Sequence, residues 1–158
     1  MRPLTLEQYL GPNTALITPN IRRNAQTMVA RANLVLTYYR EDNPGAPEIR
    51  LASGWRSPQR NAATAGAAAG SAHLSGEAID LGEAKDSRPF ARWCVANLHV
   101  LADFSLWMED PRCTVGKWTS WVHLQTRPSA SGLRVFLPNA DWAARLKSDS
   151  LDAGDLAP

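Results

Sequence analysis

Three side chains in this sequence have the types and placement to hold a metal ion: His73, Asp80 and His123. His73 and Asp80 flank Gly76 and can meet at one point if a loop carries the first and a strand the second. His123, far downstream, can bring a third donor. Two imidazole nitrogens and a carboxylate oxygen suit zinc, and three protein donors leave one tetrahedral position open, as catalytic rather than structural sites do. Water at such a position falls toward neutral pKa and can attack an amide carbonyl. Arg56 offers a planar fork that can hold a substrate carboxylate or a developing oxyanion.

These residues need elements to carry them. Thr18-Pro19 reads as an N-cap followed by proline at the first helical position. From there Ile21, Ala25, Met28, Ala32, Val35 and Tyr39 fall on one helical face, giving a scaffold helix to about Tyr39. Asp42-Asn43-Pro44-Gly45 breaks it. Glu48–Trp55 alternates as a strand does, and Ser57-Pro58 repeats the cap-and-proline signal to open a short helix over about Pro58–Ala65. The small-residue run from Ala65 to Ala72 is a loop that delivers His73. Gly76–Leu81 reads as a strand with Ala78 and Asp80 on one face and Glu77 and Ile79 on the other, which leaves Glu77 exposed to solvent.

Ser87 is expected to cap a third helix reaching about Leu101, with Phe90, Trp93, Cys94, Asn97 and Leu101 as its buried stripe. Two alternating runs follow, Phe104–Glu109 and Trp121–Gln125, around a turn-rich connection at Asp110–Lys117. If they pair, Glu109 and His123 face one cleft. Leu133–Leu137 reads as another strand, and Asn139 caps a last helix with Trp142 and Leu146 inside. The expected fold is α+β: one domain over residues 1–147, with helices packed against a small antiparallel sheet and the metal in a groove on it. Residues 148–158 are expected to form a disordered tail.

Three motifs occur in order over roughly residues 49–126: Ser53-Gly54-Trp55-Arg56-Ser57-Pro58, then Ser71-x-His73-x-x-Gly76-x-Ala78-x-Asp80, then Trp121-Val122-His123. Together they resemble the M15 zinc peptidases. That family includes D-Ala-D-Ala carboxypeptidases, D,D-dipeptidases and phage peptidoglycan endopeptidases, and the Hedgehog signalling domain shares its fold. The resemblance implies Zn2+ on His73, Asp80 and His123, with Arg56 steadying charge on the substrate. Many members carry an acid three residues before the last histidine, where this chain has Ser120. Related small members carry a glutamate on the preceding strand, so the resemblance makes Glu109 the general base, with Asp110 as second choice. The implied substrate is an amide bond in peptidoglycan stem peptides or cross-links, and L-Ala–D-Glu, D,D- and L,D-linkages all remain open. The alternative is a zinc-containing wall-binding or phage structural module of the same fold without turnover, which Ser120 favours.

Composition excludes several other classes. At 158 residues, 44% hydrophobic and 20% charged, the chain suits one soluble domain with a sizeable core. Its net charge is +2, and the tail acids Asp149, Asp152 and Asp155 leave the rest more basic. Most basic residues are arginines, yet no block is dense enough for a nucleic-acid footprint. Cys94 and Cys113 have no metal-ligand spacing and define no disulfide framework. No stretch has transmembrane length and the N-terminus lacks a secretory core, so membrane insertion is not expected. These features fit a monomer made in the cytoplasm and released to the wall by a separate membrane-disrupting protein, as phage or prophage endolysins are. Ser71 and Ser75 read as loop hydrogen-bonders, Trp121 as packing beside His123, and His99 as a surface residue.

Overall fold

The chain's structure is a computed structural model that describes residues 2–12, 14–83, 86–114, 121–139, 141 and 142. Ser120, Leu146 and the expected tail at 148–158 lie outside the described residues. Helix α1 (Leu6–Leu10) and a 3-10 turn (Thr14–Leu16) precede the long helix α2 (Pro19–Asp42). Strand β1 (Arg50–Ser53), helix α3 (Pro58–Ala63) and strand β2 (Ala78–Gly82) follow. Next come helices α4 (Arg88–Ala96) and α5 (Leu98–Asp103), strand β3 (Trp107–Glu109), helix α6 (Pro111–Thr114), and strands β4 (Val122–Gln125) and β5 (Val135–Phe136). None of the described helices is long and apolar enough to cross a membrane.

Local signals explain the helix starts. Thr18 accepts a hydrogen bond from the Ile21 N–H with Pro19 at the first turn, and Ser57 does the same for Arg60 with Pro58. Helix α2 buries Ala25, Met28, Val29, Ala32, Val35, Leu36 and Tyr39. Burial of each large member of that stripe contributes about 1.5–3 kcal/mol. The stripe lies against the sheet's apolar face, where Ile79, Leu81, Met108, Val122 and Leu124 are wholly buried. Helices α4 and α5 add Phe90, Trp93, Cys94, Val100 and Leu101 to this core. The indole N–H of Trp93 donates to Asp42 at 2.8 Å and so ties α4 to the end of α2.

The sheet order is β1-β2-β4-β3-β5. Four strands are antiparallel neighbours, but β5 runs parallel to β3, so the sheet is mixed rather than wholly antiparallel. Asp80 pairs with His123 and, past a bulge at Leu51–Ser53, with Ser53. On the far side Glu109 pairs with Phe136. Because Met108 faces Leu124, Glu109 follows alongside His123. Ser53, Asp80, His123, Glu109 and Phe136 thus form one row across the polar face of the sheet.

Several elements differ from expectation. The strand foreseen over Glu48–Trp55 keeps only Arg50–Ser53. The third helix divides at Asn97, whose side-chain amide donates to the Trp93 carbonyl and closes α4 before α5 begins. The alternation at Phe104–Leu106 is not a strand: Phe104 caps α5 and Ser105 takes a left-handed φ of 49°. Glu77 is not free in solvent, since it is partly buried and paired with Arg127.

Candidate metal centre

The sheet and one loop bring His73, Asp80 and His123 together. Each offers a donor atom, and these atoms lie within 4.8 Å of one another. Among the described residues this is the cluster of His, Cys, Asp or Glu side chains able to hold a metal ion. All three residues are buried. The two imidazole rings meet edge to face, 5.1 Å between centroids.

Close packing of backbone sets where His73 sits. A Cβ at Gly54 would stand 2.3 Å from the Tyr9 carbonyl oxygen, so only glycine lets β1 run this close to α1. The Gly54 carbonyl then accepts from His73 Nδ1–H at 2.7 Å. The chain turns back at Gly76, which has a φ of +76° and leaves no room for a Cβ beside the Ile21 carbonyl. Ser71 accepts from the His73 N–H, and Ser75 donates to the Ala72 carbonyl and to Glu77, so both serines are loop hydrogen-bonders.

The hydrogen-bond pattern tests whether a cation fits. Because Gly54 offers only an acceptor, His73 carries its hydrogen on Nδ1 and turns the Nε2 lone pair toward Asp80 Oδ1, 3.2 Å away. Gln125 donates its amide N–H to the Arg127 carbonyl at 2.7 Å, which leaves its Oε1 to accept from His123 Nε2–H at 3.3 Å. His123 therefore turns Nδ1 toward the same Asp80 oxygen, at 2.8 Å. When both rings are neutral, two lone pairs and a carboxylate oxygen converge on one buried point. Such a set needs a positive charge between its members, and its nitrogen and oxygen donors match zinc. The carbonyl behind His73 and the amide behind His123 are the kind of outer partners that fix metal-binding imidazoles.

Electrostatics agree with this arrangement. Burial would raise the Asp80 pKa, but the two histidines beside it, His123 and His73, outweigh burial and hold the carboxyl well below its usual range. Burial lowers the His73 pKa, although the nearby Asp80 carboxylate opposes the shift. Burial also acts to discharge His123, yet Asp80, with help from Glu109 and Gln125, keeps its pKa above the ordinary imidazole value.

A family model described as Peptidase M15 matches residues 14–125. The chain belongs to the peptidase M15 family. No curated protein and no solved structure matched the chain. M15 membership makes it a peptidase, and the matched span holds the whole His73–Asp80–His123 cluster together with Arg56 and Glu109.

In this M15 peptidase Arg56 is not free. Its Nη2 donates to Asp80 Oδ2 at 2.5 Å and its Nε to Ser53 Oγ at 2.9 Å, so it holds the carboxylate oxygen that faces away from the histidines. Glu109 shares the sheet row with His123. Its pKa is raised, chiefly by burial and further by Asp80 and Asp110, while His123 opposes the shift. Asp110 is committed elsewhere: Oδ1 accepts from Arg112 N–H and Nε, and Oδ2 from Nη2 at 2.6 Å. Phe136 lies edge-on to His123 at 6.5 Å and borders the row beyond Glu109. His99 is exposed on α5. Cys94 is a buried free thiol, and Cys113 a half-buried one. Sequence reasoning missed Gln125 and Phe136, although the alternation through Trp121, His123 and Gln125 already placed Gln125 on the face of His123.

Proposed function

We propose that this M15 peptidase is a zinc enzyme that hydrolyses an amide bond in the peptide stems or cross-links of peptidoglycan, with His73, Asp80 and His123 as ligands. The observation that carries the metal is the convergence of two imidazole lone pairs and one carboxylate oxygen, each ring being fixed by an acceptor behind it. The three motifs resembling wall-cutting M15 enzymes support the substrate class. A zinc ion held by His73, Asp80 and His123 would supply Lewis acidity for water activation and carbonyl polarisation near neutral pH.

The chain's own residues supply the rest. Glu109 stands in the row beside His123, takes the proton from the attacking water and passes it to the leaving amine. A raised pKa suits both halves of that task, because the carboxyl must first accept and then donate. Arg56 holds Asp80 in place and presents positive charge beside the ligand set, where the carbonyl oxygen gains negative charge. Phe136 forms an apolar wall beyond Glu109, so the substrate lies along the sheet row between Arg56 and Phe136. A role as a phage or prophage lysis enzyme fits the same chemistry and rests on the motif resemblance alone.

The test is digestion of purified peptidoglycan sacculi with and without chelator, with mass spectrometry of the released fragments. New chelator-sensitive amine and carboxyl termini are expected, and their position names the bond. Stoichiometric zinc without any new termini would instead favour a wall-binding module.

A further inference from the structure

The two histidines of the triad reach it on separate segments, and one residue touches the support of both. Arg127 lies just past β4. Its carbonyl accepts from the Gln125 amide at 2.7 Å, and this contact turns Gln125 Oε1 toward His123 Nε2. Its guanidinium grips the other segment. Nη1 donates to the Gly70 carbonyl at 3.0 Å, Nη2 to Ser75 Oγ at 2.8 Å, and both Nη2 and Nε to Glu77 Oε2 at 2.7 and 3.2 Å.

The loop held this way is Ala65–Ala72, a run of Ala, Gly and Ser with few side chains able to pack. Ala65, Gly66, Ala68, Ala69 and Gly70 are exposed. Holding such a loop in one shape costs backbone conformational entropy. A rigid fork that bonds a carbonyl, a hydroxyl and a carboxylate together is suited to offset part of that cost. We propose that Arg127, held by Glu77, is a positioning residue that locks His73 and His123 into one metal-binding geometry. The inference rests on the metal-binding reading of the triad.

An exposed ion pair that served only the surface would contribute little to stability and nothing to metal affinity. The experiment is a zinc competition titration against a chromophoric chelator on the metal-free full chain, joined to the visible spectrum of the Co2+ form and a metal-free thermal melt. Arg127→Ala removes the guanidinium but keeps the carbonyl behind Gln125, so it loosens the His73 segment and is expected to weaken zinc binding about tenfold, the low end for loss of a partner behind a metal ligand. It should also alter the Co2+ spectrum while shifting the metal-free melt by only a few degrees. Arg127→Lys keeps the charge but not the fork and should fall between. Glu77→Gln, which leaves shape intact, should move affinity the same way and decides the matter if Arg127→Ala does not fold. Wild-type zinc affinity and an unchanged Co2+ spectrum in these variants would overturn the brace while leaving the metal site standing. A wild-type chain that takes up no zinc would overturn the metal site and the brace with it.

Discussion

Replacing Asp80 by Asn perturbs the proposed centre at its middle without changing its shape. In the metal-free protein the Asp80 carboxylate accepts from Arg56 through one oxygen and faces both imidazoles with the other. It is 3% exposed, and the Arg56 side chain is 12% exposed, so water cannot take over either role. Removing one member of a buried pair costs about 3–5 kcal/mol, because the remaining charge is left uncompensated. An amide keeps part of the hydrogen bonding, which puts the expected loss at the lower end, about 3 kcal/mol. For a domain of this size each kcal/mol shifts the melting temperature by about 2–4 °C, so the metal-free variant should melt roughly 6–12 °C below wild type. Zinc adds a second reading: at a hundred times its dissociation constant it should stabilise wild type by about 2.7 kcal/mol, and the variant far less. Differential scanning calorimetry of both proteins, with and without zinc, provides all four values. A metal-free Asp80→Asn melt within a degree of wild type, or an equal zinc increment in both proteins, would refute the reasoning.

Three further outcomes follow from the same geometry. Glu109→Gln should retain its zinc yet lose about 10²- to 10⁴-fold in hydrolysis of sacculi, the range for loss of a general base; undiminished turnover would remove Glu109 from the reaction. Gly54→Ala forces a Cβ against the Tyr9 carbonyl and should destabilise by about 1–3 kcal/mol as over-packing does, while loosening the acceptor behind His73. A denaturant titration that superimposes on wild type would contradict this. Zinc affinity should depend on pH through His123. Asp80 is already ionised and the pKa of His73 is lowered, whereas that of His123 is raised, so zinc displaces mainly the His123 proton. Apparent affinity then falls by about tenfold per pH unit below that pKa and levels off above it. Isothermal titration across pH 5.5 to 8.5, roughly the span of imidazole titration, should show this, and a flat profile would count against it.

How far the sequence could be read depended on the range of each interaction. The starts of α2 and α3 were legible because Thr18 and Ser57 cap groups only three residues away. The triad was legible because loop, strand and strand each had a local signature, and strand parity alone put Glu109 on the face of His123. Asn97 misled because its place in the apolar stripe hid its action as a cap. Phe104–Leu106 misled because a helix end followed by a left-handed serine produces the same apolar spacing as a strand. The parallel pairing of β5 and the grip of Arg127 on Glu77 depend on partners tens of residues apart, and periodicity carries no information about them. Arg56 was singled out in the sequence as a possible holder of substrate charge, but its bond to Asp80 lies beyond the bulge in β1, which no residue type announced.

The most direct test of the central claim is X-ray absorption at the zinc edge on the purified chain loaded with one equivalent of zinc. A centre on His73, Asp80 and His123 predicts four light donors at about 2.0–2.1 Å, with the multiple-scattering signature of two imidazoles. A sulfur shell near 2.3 Å, which only Cys94, Cys113 or a methionine could supply, or zinc coordinated without histidine, would contradict it.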